Sequence, residues 1–90
     1  MQVRFLTIER DAIFLLGYEL KLSPTERKLL CCVAEGGRSD VDTMAKNLCN
    51  DVSRGNVAVH ISAINRKAKK LSGRKLIIYE NGQYAINPFM

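Results

Sequence analysis

Tryptophan is absent from this 90-residue chain, histidine occurs once, at His60, and proline only twice. A lone histidine with no serine or cysteine nucleophile set beside it by any recognisable motif is a poor basis for acid–base or nucleophilic catalysis. The chain also lacks a glycine-rich phosphate loop, an H-E-x-x-H pair and a paired-carboxylate motif. The expectation is a protein that is not an enzyme and holds no cofactor. Long apolar runs are missing too. The run Ala12 to Leu16 is strand-length, and none approaches the ~20 residues that span a bilayer. With no signal-peptide pattern at the N-terminus, no membrane partner is expected. The three cysteines, Cys31, Cys32 and Cys49, are odd in number. That argues against a disulfide framework and for a reducing, cytoplasmic compartment. Adjacent cysteines on a helix point about 100° apart, unlike the C-x2–4-C spacing of zinc sites. Together with His60 these thiols make a poor metal set, and they read as small buried hydrophobes.

The most informative absence is of negative charge. Residues 52–79 contain no acidic side chain. Residues 1–51 hold seven basic and eight acidic side chains, a net of −1, whereas residues 52–90 hold seven basic ones and a single acid, Glu80, a net of +6. One-sided positive charge of this kind is the footprint of a face that meets a polyanion. The bland alternative, a solvated basic helix, fits the charge alone equally well.

The patterning indicates a single α+β domain over residues 1–90. Val3 to Ile8, Ala12 to Leu16 and Tyr18 to Leu22 read as strands with short turns, an N-terminal antiparallel sheet over residues 1–22. Ser23-Pro24-Thr25-Glu26 carries the capping box of a first helix, with proline at the first helical position. Gly36-Gly37 ends that helix. A short second helix follows Ser39 or Asp40, with Val41, Met44, Ala45 and Leu48 at helical spacing. Cys49-Asn50-Asp51-Val52 is a tight connection, and Ser53 or Asn56 caps a third helix that ends near Ser72-Gly73. Residues 23–72 are thus a three-helix core. Lys75 to Tyr79 and Gln83 to Asn87 form a hairpin within residues 74–87, turning at Asn81-Gly82, and Pro88 stops pairing. Strands, three helices with the last one basic, then a hairpin: the order describes a winged helix-turn-helix.

On the third helix, about residues 54–71, Val57, Ile61, Ile64, Ala68 and Leu71 form one apolar stripe at 100° per residue. Gly55, Val59, Ser62, Ala63, Arg66 and Lys70 lie opposite, Asn56 and Lys67 flank them, and His60 falls near the edge of the stripe. Slim residues suit the closest approach of a helix to bases in a major groove, and Val or Ala contacts thymine methyls. Arg66 has the fork that matches guanine. Lys67, Lys69 and Lys70 suit phosphates. The same Val59 and Ala63 would equally pack on a protein.

Three stretches resemble the OmpR/PhoB-type winged-helix effector domain of bacterial response regulators. LSPTERKLL (22–30) resembles the L-T-x-x-E-x-x-L-L opening of that family's first helix. VAVHISAINRK (57–67) resembles its V-D-V-H-I-x-x-L-R-x-K recognition helix, and NGQYAI (81–86) its G-x-G-Y-x-L wing. Nearly the whole chain is covered. The resemblance implies a sequence-selective transcription regulator of double-stranded DNA, third helix in the major groove and wing near the minor groove. It implies Val59 and Ala63 facing bases, His60 and Ser62 near the phosphate backbone, and the wing tip at Glu80-Asn81 over the minor groove. It also implies a homodimer on tandem sites, RNA polymerase or another regulator as a further partner, and a bacterial, nucleoid-associated location when bound. The sequence departs from the family at Ala63 and Asn65, where arginines are usual, and at Glu80, where the wing usually has arginine. The loop after the second helix, which touches RNA polymerase in some relatives, is short. These 90 residues offer no aspartate pocket of a receiver domain, and from Met1 and the Pro88 ending the expectation is a stand-alone chain over one cut from a longer regulator.

Two other functions compete. A protein-interaction module that antagonises another regulator or a polymerase subunit is motivated by Glu80, Ala63 and Asn65. RNA binding is the weaker alternative: the aromatic residues are not gathered into a stacking platform.

Overall fold

A computed structural model describes residues 2–3, 5–47 and 54–88. Four short strands open the chain: β1 (Gln2–Val3), β2 (Leu6–Ile8), β3 (Ile13–Leu15) and β4 (Tyr18–Glu19). They form an antiparallel sheet in the order β1-β2-β3-β4. Leu6 pairs with Leu15 and Ile8 with Ile13, so alternate apolar side chains share one face, and Leu6, Ile13 and Leu15 are buried there. The single strand expected over Val3 to Ile8 is two strands. Val3 pairs with Leu6, leaving only two residues to turn the chain. No glycine, proline, asparagine or aspartate marks that turn, so the run reads as uniform strand.

α1 (Pro24–Gly36) begins with the expected capping box. The Glu26 N–H donates to Ser23 Oγ at 3.2 Å, and the Ser23 N–H donates to Glu26 Oε1 at 2.9 Å. Gly37 closes the helix in the left-handed conformation. β5 (Arg38–Asp40), which no sequence pattern suggested, comes next and pairs with the last strand, Ser39 opposite Tyr84. Arg-Ser-Asp has little strand preference of its own. It extends because β7 offers it a row of backbone partners. Asp40 then caps α2 (Val41–Asn47), its Oδ1 accepting the Thr43 N–H at 2.6 Å. The expected connection through Cys49 to Val52, Leu48 and the Ser53 cap lie outside the described residues. α3 (Arg54–Ser72) is helical from Arg54, so Asn56 sits inside the first turn and is not the cap.

β6 (Ile77–Glu80) and β7 (Gln83–Ile86) form the wing, in a three-stranded sheet of order β5-β7-β6. β6 starts two residues later than Lys75. Lys75 and Leu76 instead form the root of the wing, where Asn87 Nδ2 donates to the Lys75 carbonyl at 2.9 Å and the Asn87 N–H to the Leu76 carbonyl at 2.8 Å.

The core lies between the N-terminal sheet, α1 and α3. Leu29, Leu30 and Val33 of α1 pack with Val57, Ile61, Ile64 and Ala68 of α3, Met44 of α2, and Leu76 and Ile77 of the wing root. Four of the five residues of the α3 stripe are buried, and Leu71 is partly so.

The β3–β4 and β6–β7 hairpin loops each place positive φ at both positions: Leu16 (54°) and Gly17 (84°) between β3 and β4, Asn81 (54°) and Gly82 (77°) in the wing. This geometry matches the twist of the flanking strands, and asparagine–glycine is its favoured pair. Leucine is ill suited to the left-handed region, at about 1–2 kcal/mol. Leu16→Asn should therefore raise stability by about 1 kcal/mol, an increase of roughly 4–8 °C in Tm for a domain of this size. A thermal melt that leaves Tm unchanged would show that Leu16 gains an equal amount by packing.

Candidate nucleic-acid interface

Residues two apart on a helix point about 200° apart. Asn65 and Lys67 use that spacing to fix α3 on both flanks. On one flank Asn65 grips the first residue of β6 twice: Nδ2 donates to the Ile77 carbonyl at 2.9 Å, and Oδ1 accepts the Ile77 N–H at 2.8 Å. On the other flank Lys67 Nζ lies 2.6 Å from Glu26 Oε1. The Glu26 side chain is only 7% exposed and that of Lys67 43%. Burial pushes the Glu26 carboxyl up, but hydrogen bonds from Lys67 and the Ser23 N–H, with the Lys67 charge, outweigh it and hold the group below its ordinary value.

Between these two ties runs the open front of α3. Val59 is 64% exposed, with Asn56, Ser62, Arg66, Lys69 and Lys70 also exposed, and Ala63 half-buried. The front is slim for its first turns and cationic for its last. His60 is half-buried beside the stripe. Asn81 is exposed at the wing tip next to exposed Glu80. Among the residues singled out from sequence, Val59, Ser62, Ala63, Arg66 and Lys70 come together as one face. Asn56 and His60 lie on its α1 side. Lys67 is drawn to Glu26 and away from that face, and Asn81 sits apart on the wing.

Sequence reasoning missed the roles of Asn65, Glu26 and Lys75. The sequence marks Asn65 only as a departure from the family's usual arginine, and Glu26 only as a cap. Lys75 stands at the wing root, where it joins Arg66 and Lys69 around one depression. Tyr79 of β6 is 60% exposed, with its ring edge-on to Tyr84 at a centroid distance of 4.9 Å. Burial, and then the neighbouring Tyr79, pushes the Tyr84 phenol up, so it remains a neutral hydroxyl.

No group of three metal-ligating side chains occurs among the described residues. Burial and then Glu35 raise the Cys31 thiol, the reverse of a reactive cysteine. No helix among the described residues is long and apolar enough to cross a membrane.

No protein-family model matches the chain, and no curated protein sequence does either. Among solved structures, the crystal structure of the DNA-binding domain of the response regulator AdeR, in complex with an intercistronic region, superposes with a TM-score of 0.83. The match covers 97% of this chain and 98% of that one at 17% identity. The chain therefore has the fold of that domain, a winged helix-turn-helix.

Proposed function

We propose that this protein is a sequence-selective transcription regulator that binds double-stranded DNA, with α3 in the major groove and the β6–β7 wing at the adjacent minor groove. The observation that carries this reading is the front of α3: slim side chains at Val59, Ser62 and Ala63 followed by Arg66, Lys69 and Lys70, all on one side of a helix tied down on both flanks. The AdeR domain of the same fold is bound to an intercistronic region, which agrees with that use of the fold. Slim residues let the helix approach base edges, and the cations behind them take phosphates. Arg66 is the base reader. Lys70 is a phosphate contact, and tandem sites would seat two copies.

The test is selection of a preferred duplex from a random pool, followed by titration of variants. Arg66→Ala should cost about 1–3 kcal/mol on the selected duplex and much less on random DNA, whereas Lys70→Ala should weaken both alike. Equal loss on every sequence for Arg66→Ala would remove its reading role.

One observation favours a second reading, a module that docks on another regulator or a polymerase subunit. Val59 and Tyr79 are exposed apolar surface, and Glu80 puts a carboxylate at the wing tip, where phosphates would repel it. Glu80→Arg discriminates the two: a sharp gain in duplex affinity would mean that the wing is tuned away from DNA.

A further inference from the structure

Two depressions meet between α3 and the wing and share Ser62, Asn65 and Lys75. The first, of about 320 Å³, adds Arg66 and Lys69. The second, of about 430 Å³, runs on toward Ala58, Ile78, Tyr79 and Tyr84. Together they form one trough whose floor is fixed by the double hydrogen bond of Asn65 to Ile77. One end carries three cations and the other an apolar, aromatic wall. No carboxylate lines either half, and none of the three cations has an ion-pair partner among the described residues.

That sequence of chemistries selects an occupant. A free phosphate ion would use the cationic end and leave the tyrosine end idle. An apolar peptide would leave three desolvated cations unmatched at the other. A sugar–phosphate strand alternates anionic phosphate with apolar sugar, and it fits both ends in order. Duplex geometry points the same way. When one element enters a major groove and a second the adjacent minor groove, a single backbone strand must pass between them. The trough is the space between those two elements here.

Resting on the reading of α3 as the groove-entering helix, we propose that this trough seats the strand that separates the two grooves. One phosphate sits between Lys69 and Lys75 with the Ser62 hydroxyl, Arg66 at the rim reaches on to the bases, and the neighbouring deoxyribose packs on Tyr79. Lys75 and Tyr79 thereby become DNA contacts although they lie outside the recognition helix.

The deciding experiment is fluorescence anisotropy of a random duplex at several salt concentrations, with native protein, the Lys69→Ala/Lys75→Ala double variant, and Lys28→Ala as control. All three lysines are exposed, so the fold is not at stake. Lys28 is on α1, two residues from Glu26, and points away from α3. Each seated phosphate contributes about 0.9 to the log–log salt slope. The double variant should lose about that much slope and bind every duplex more weakly, while Lys28→Ala changes neither. Tyr79→Ala should weaken binding with its slope intact. If native protein binds with a steep slope and the double variant keeps it, the trough is not the seat and the α3 reading stands. If native protein binds no duplex even at low salt, both fall together.

Discussion

Replacing Glu26 by alanine should destabilise the domain by about 2–3 kcal/mol, roughly 10–20 °C in Tm for a chain of this length. Three losses combine. The capping box goes, typically about 1 kcal/mol. A carboxylate leaves the positive end of the α1 dipole. The partner of Lys67 is removed. Breaking a fully buried pair costs about 3–5 kcal/mol, but the Lys67 side chain is 43% exposed and rehydrates when left alone, so this contribution falls well below that range. Urea unfolding of native protein and variant near neutral pH measures the difference. A change below about 0.5 kcal/mol would mean that the contact is a surface pair of no consequence.

The same carboxylate makes stability depend on pH in a defined direction. Its value in the folded state is lowered from the ordinary 4.5. A group depressed on folding contributes fully above its unfolded value and loses that contribution as pH falls through the folded one. Native stability should therefore hold above about pH 4.5 and fall below it. Glu26→Gln, which cannot ionise, should show a shallower acid limb in unfolding titrations. Parallel limbs for the two proteins would assign the acid sensitivity to other carboxylates.

Asn65→Leu should cost about 2–3 kcal/mol, although the side chains are close in size and the position lies beside the proposed DNA face. Leucine leaves both the Ile77 N–H and the Ile77 carbonyl without their partner, and an unsatisfied, partly buried backbone group costs about 1–3 kcal/mol. Asn65→Asp keeps the acceptor for the N–H but sets a carboxylate against the carbonyl, so it should rescue only part of the loss. Hydrogen exchange gives the local readout. The Ile77 amide should exchange much faster in Asn65→Leu, with α1 amides following only the global change in stability. Uniform loss of protection along the chain would mean that Asn65 supports the whole fold and not the wing in particular.

What the sequence could convey divides along contact range. The α1 cap is written in Ser23 and Glu26, three residues apart, and the wing turn in Asn81-Gly82. The apolar stripe of α3 follows from helical spacing alone. β5 is invisible because Arg38-Ser39-Asp40 is made extended by β7, more than forty residues on. The ties that orient α3 are equally silent. Asn65 reaches Ile77, twelve residues away, and Lys67 reaches Glu26, forty-one away. Lys67 looked like one more phosphate contact because periodicity places a side chain on a face and cannot say what stands opposite it. Lys75 and Tyr79 belonged, on sequence, to an ordinary strand. Only the packing of the wing root against α3 puts them beside Arg66 and Lys69.

On the proposed reading, the cationic front of α3 meets a polyanionic duplex. The most direct test is the binding of native protein to a random duplex, followed by anisotropy as salt is raised. Neutralising Z phosphates gives a log–log slope of about −0.9Z. With one phosphate at Lys70 and one between Lys69 and Lys75, the slope should be at least as steep as about −2. No binding at low salt, or binding that salt does not weaken, would contradict the account and assign this face of α3 to a protein partner.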